Sequence, residues 1–172
     1  MSTRLNIFLA IVIGHWAEHL FQIYQIYVLG WPTHMAGGLL GYVFPWLVHS
    51  EVLHFGYAVL MMIGLVWLRG EMGGAAESAW KTSTIIQSWH LVEHTLLQIQ
   101  ALTHPFFGKA VPTSIVQLWF PRVELHLFYN AVVFAPMVAA MWLHLFPTRG
   151  ERRQMVCTCA LERRARTVAS PA

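Results

Sequence analysis

Hydrophobic positions along the chain gather into four long stretches, at roughly residues 5–30, 43–68, 82–102 and 122–146, with polar or turn-forming residues between them. Each reaches the length of about 20 residues that a helix needs to cross a hydrocarbon core. Pro32 with Gly37 and Gly38 marks residues 31–40 as a loop, and Pro105, Gly108 and Pro112 mark residues 104–113 as another. The pattern predicts an all-α integral membrane protein. Residues 1–148 form a four-transmembrane-helix bundle, and residues 149–172 form a basic cytoplasmic tail expected to be disordered.

The pattern also recurs within the chain. His15-Trp16-Ala17-Glu18-His19 returns as His90-Leu91-Val92-Glu93-His94, 75 residues later, and Gln25 falls on Gln100 at the same offset. Phe44-Pro45 returns as Phe120-Pro121, and Leu53, His54 and Tyr57 return as Leu125, His126 and Tyr129. A fixed internal offset is the mark of a repeated structural unit. Here the unit is a helical hairpin used twice, over about 5–68 and about 82–146. Because each unit holds two spans, the copies are expected to be parallel repeats about an axis along the membrane normal.

Composition supports a membrane solvent. Hydrophobic residues make up 56% of the chain and charged residues 11%, with no aspartate, whereas a soluble domain carries about a quarter charged residues. The net charge of +3 does not describe a nucleic-acid groove, because six of the eleven basic residues lie in the tail, from Arg149 to Arg166. Arg4, the central pair Arg69 and Lys81, and the tail arginines place both termini and the middle connection in the cytoplasm, as in a bacterial inner-membrane protein. The N-terminal segment runs through His15, Glu18 and His19 without a small-residue cleavage site and is read as a retained helix. Cys157 and Cys159 are too close for an ordinary disulfide and are read as reduced thiols.

The chemistry lies inside the predicted spans. With about 100° of turn per residue, His15, Glu18 and His19 share one helix face, as do His90, Glu93 and His94. Glu51 and His54 share another, with His49 towards the outer end. Glu124 and His126, two positions apart, fall on opposite sides of their helix. A charged group at mid-bilayer costs about 2.5–3.5 kcal/mol on insertion scales. The segments 5–68 and 82–108 contain no lysine or arginine. Glu18, Glu51 and Glu93 therefore need protonation, a neutral histidine or a bound ion. The expected metal ligands are His15, Glu18, His19, Glu51, His54, His90, Glu93, His94 and His126. Gln22, Gln98, Tyr57 and Tyr129 are placed to orient them, while His34, His104 and His144 lie near loops or ends and are read as hydrogen-bonded or interfacial.

Imidazole with carboxylate and no thiolate selects iron, zinc, manganese or copper(II). Glu and Glu-x-x-His pairs projecting into a four-helix core resemble the ligand chemistry of di-iron carboxylate bundles, a resemblance of chemistry alone. His-x-x-Glu-His is also a zinc word of one soluble metalloprotease class; two copies on neighbouring membrane helices suit a symmetric site better. The leading expectation is a di-metal, iron-containing oxidoreductase acting on a lipid-soluble substrate. A haem b electron-transfer subunit with bis-histidine ligation is the alternative, and a proton- or metal-conducting subunit a further one. The expected partners are the lipid bilayer, other membrane subunits or a redox protein, and no nucleic acid.

Overall fold

The computed structural model describes residues 3–48 and 50–147. All regular structure among them is helical. Helix α1 (Thr3–Ile23) runs into a π-helical turn, Tyr24–Val28. Two short helices, α2 (Gly38–Val43) and α3 (Pro45–Val48), precede α4 (Glu51–Leu68), which ends in a 3-10 turn, Arg69–Glu71. Then come α5 (Ala75–Leu102), a 3-10 turn at Val116–Leu118, and α6 (Arg122–Leu145). His49, the arginine-rich tail and the Cys157/Cys159 pair lie outside the described residues.

The expected span at 43–68 is divided. Pro45 has no backbone N–H to give, and the residue before a proline avoids the helical region; Phe44 accordingly sits at φ −129°, ψ 65°. The long helix restarts only after Ser50, an extended N-cap whose hydroxyl accepts from the Val52 N–H at 3.1 Å. The segment 31–40, expected as loop, begins α2 at Gly38. The third long helix begins seven residues before the expected position 82, after Gly74 at φ +60°. Near its start, Lys81 bonds the exposed Glu77 carboxylate at 2.7 Å and, with Arg69 at 3.4 Å, holds that carboxyl below its ordinary pKa.

α5 packs along both α4 and α6, while α1 lies more lightly against α4 and reaches α6 through side chains, as where Trp16 meets Phe134. At one end of the bundle the contacts are apolar: Leu5 and Phe8 of α1, Leu65 of α4, Trp80 of α5 and Met137 of α6 belong to one buried cluster. Gly64 is required there, because a Cβ on it would run into the Phe8 ring. Trp80 is fully buried and donates Nε1–H to the Leu65 carbonyl at 2.7 Å.

Further along the same helices the interior turns polar. Ser83 donates to the Val133 carbonyl at 2.7 Å, and Gln87 to the Ala58 carbonyl at 3.1 Å. His90, Glu93, His94 and Gln100 continue this buried polar face of α5, while Ile85, Val92 and Leu102 face outward. Exposed Ile63, Val66 and Trp67 on α4 and Phe128 and Trp142 on α6 extend the apolar exterior. Three helical segments, Thr3–Val28, Glu51–Glu71 and Arg122–Leu145, are long and apolar enough to cross a membrane. α5 has the length, but its inward polar residues keep it out of that group.

Candidate metal centre

Six imidazoles converge from four helices. His15 and His19 stand one turn apart on α1, His90 and His94 one turn apart on α5, and α4 and α6 contribute His54 and His126. The i, i+4 spacing stacks each pair on one helix face. His15 Nε2 lies 2.9 Å from His19 Nε2, and His90 Nε2 lies 3.0 Å from His94 Nε2. His126 stands between the pairs, its ring centroid 5.0 Å from that of His19, 5.4 Å from His90 and 4.9 Å from His94. His15, His19 and His126 form one set whose ligand-type nitrogens lie within 4.8 Å of one another; His90, His94 and His126 form a second. The His54 ring is 5.2 Å from His126 and 6.1 Å from His94, beside these sets rather than within either.

The carboxylates are engaged elsewhere. Glu18 accepts from the Leu40 N–H at 2.9 Å, and Glu93 from the Val116 N–H at 3.3 Å to each oxygen. Glu51 meets Arg122 through two contacts, 2.6 Å to Nη1 and 2.7 Å to Nη2. The premise that these three glutamates lack partners other than protons, histidines or an ion is therefore corrected for Glu51, which pairs with an arginine from another helix, while Glu18 and Glu93 each take one backbone N–H, from α2 and from the 3-10 turn at Val116–Leu118. Among the described residues no glutamate joins either imidazole set. Glu124 accepts a hydrogen bond from Tyr27 at 2.5 Å, tying the π-helical turn to α6. Gly38, at φ +71°, is needed where Glu18 passes, since a Cβ would collide with that carboxylate.

The loops are clamped by amides. Gln25 accepts from the Gly38 N–H at 2.8 Å and donates to the Gly38 carbonyl at 3.2 Å. Gln100 accepts from the Phe106 and Thr113 N–H groups at 2.8 and 3.2 Å and donates to the Thr113 carbonyl at 2.8 Å.

Ring orientation is set locally. The acceptor oxygen of Gln22 lies 3.4 Å from His19 Nδ1, while the Gln22 amide donates to the Ala36 carbonyl at 2.8 Å. His54 Nδ1 faces the Ser50 carbonyl at 3.1 Å, so Nδ1 carries the proton and Nε2 the lone pair. Ser50 thus caps α4 through its hydroxyl and orients His54 through its carbonyl, and a serine ahead of an apolar run signals only the first of these roles. Among the described residues, His94 Nδ1 is buried without a hydrogen-bond partner, as is the Gln98 side-chain oxygen one turn on. Tyr57 stacks on His15 at 3.5 Å between centroids, and Tyr129 on His90 at 4.7 Å. Trp89, which the sequence reading passed over, donates Nε1–H to the Tyr129 hydroxyl at 2.7 Å.

The space around the two sets differs. A cavity of about 590 Å³ is bounded by His15, His19, His54 and His126, whereas the hollow at His90, Glu93 and His94 holds about 20 Å³. No family model, no curated protein and no solved structure matches this chain at a significant level.

Proposed function

We propose that this chain is an integral membrane protein whose histidine cluster binds a pair of first-row transition-metal ions, one at each set, that His126 would serve both by giving up its ring N–H proton, and that the protein is an oxidoreductase acting on a lipid-soluble substrate. The observation that carries the reading is the two sets of three ring nitrogens, each gathered within 4.8 Å and both including His126. In this structure the edge between the paired histidines of each set is a hydrogen bond between ring nitrogens, and an ion would take the place of the shared proton and accept a lone pair from each ring. With the carboxylates committed to backbone and arginine, the donors are imidazoles, which suit copper, iron or zinc; the redox reading needs copper or iron. Such ions would supply electron transfer or activation of a bound oxidant. The chain's own groups hold and orient the rings through Gln22, Ser50 and the stacked tyrosines, and leave little space around His90 and His94.

Within either i, i+4 pair the contact leaves no slot for a macrocycle, so a haem b would need histidines of two different helices, as His54 with His15 or His19 around the cavity that they border. Elemental analysis and an absorption spectrum of detergent-purified protein test this. Two first-row metal ions per chain are expected, without a stoichiometric Soret band. A full Soret band would overturn the reading in favour of haem.

The proposal includes four spans with both termini cytoplasmic, α5 being the third. Its polar residues Ser83, Gln87, His90, Glu93 and His94 are turned inward, while Ile85, Trp89, Val92, Ile99 and Leu102 are exposed. The duplicated hairpin is supported by matching bonds: Glu18 with Leu40 and Glu93 with Val116, and Gln25 and Gln100 each with the residue 13 positions on. Reporter fusions at Ala36, Glu77, Lys109 and the C-terminus should alternate outside, inside, outside, inside; an external C-terminus would refute this topology.

A further inference from the structure

We infer, resting on the metal-centre reading above, that the two histidine sets are functionally unequal. The cavity beside His15 and His19 admits an uncharged, lipid-soluble amphiphile, and the set at His90 and His94 is closed to it. At about 590 Å³ the cavity has the size of a site for a small organic ligand. Its histidine floor is joined by apolar walls from Ile11, Leu40, Leu53 and Val123, which suit an alkyl or ring body. Ile11 and Gly14 lie at the exposed surface of α1, on the rim, so a molecule dissolved in the bilayer has a route in.

Charge on the wall argues for a neutral head. Arg122 borders the cavity but is matched by Glu51, and Glu18 is occupied by the Leu40 N–H. Gln22 and Thr33 add uncharged hydrogen-bonding groups. On the other side, about 20 Å³ at His90, Glu93 and His94 is room for roughly one water. The lighter packing of α1, against the tight packing of α5 between α4 and α6, accounts for the difference.

The test uses the full chain in lipid nanodiscs and a long-chain alcohol bearing a diazirine, with photolabelled peptides mapped and metal content measured in parallel. Labelling that excess unlabelled alcohol competes away is expected around Ile11 and at Leu53 or Val123. Gly14→Trp projects into space where a Cβ meets nothing within 4 Å; it and Leu53→Trp should each cut that competable labelling at least tenfold while metal content stays at the wild-type level. Competable labelling centred on Leu97 and Leu125, labelling that is only non-saturable, or wild-type labelling in both tryptophan variants would overturn the inference. A metal-free chain that still labels competably at Ile11 would refute the metal reading and uphold the cavity; a metal-loaded chain with no competable label would do the reverse.

Discussion

On the α1 side of the histidine cluster, His15 and His19 border a cavity of about 590 Å³; on the α5 side, His90 and His94 border about 20 Å³. The two sides otherwise use the same parts: paired imidazoles, a glutamate on a loop N–H, a glutamine clamping that loop and a tyrosine stacked on the first histidine. Ligand type therefore does not decide which side is open. Helix packing does, because α5 is gripped by neighbours on both flanks while α1 is not. The same polar devices should accordingly matter more where water and lipid cannot replace them.

The largest effect is expected at the residue the two sides share. His126→Ala should remove both ions, whereas His15→Ala with His19→Ala, or His90→Ala with His94→Ala, should remove one each, as elemental analysis would report. Because an ion bound only to the folded state stabilises it by about 2.7 kcal/mol when its concentration is 100 times Kd, thermal melts should follow the same order. Equal occupancy in His126→Ala and wild type would break the two-set picture.

Next come the loop clamps. Gln100 is 1% exposed and serves three loop groups, so Gln100→Ala strands several buried backbone groups at about 1–3 kcal/mol each. Gln25→Ala strands two, both at Gly38, and should cost less in the same denaturation assay. A reversed order would show that the α1 side is the tighter one.

The glutamates give a smaller and more pointed contrast. Glu93 is 2% exposed, and Glu93→Ala should cost about 1–3 kcal/mol by leaving the Val116 N–H unpaired. Glu18→Ala should stay within the about 0.5–1.5 kcal/mol net worth of one hydrogen bond, since the cavity can admit a replacement for its partner. Both variants should keep their metal; loss of metal from either would return that glutamate to the ligand set. The smallest effect is expected away from both sides. Glu77→Gln breaks only exposed pairs with Lys81 and Arg69, which are worth little in water, and should leave the melting temperature unchanged within error.

The amino-acid order by itself determined the helical class, the long helices and the histidines that gather, because apolar run length and the 100° turn are local properties. His15 with His19 and His90 with His94 were legible as pairs for the same reason, and so was the offset of 75. The break at Pro45 and Ser50 carried its own local signals, yet the apolar run passed over them. What each glutamate bonds was not legible: Leu40 and Val116 lie 22 and 23 residues beyond Glu18 and Glu93, and Arg122 lies 71 beyond Glu51. Only the folded chain brings such partners within reach. Tertiary structure likewise decided that His126 serves both imidazole sets and that the α1 side is hollow, since both follow from how four helices pack and no single helix encodes its distance from the others.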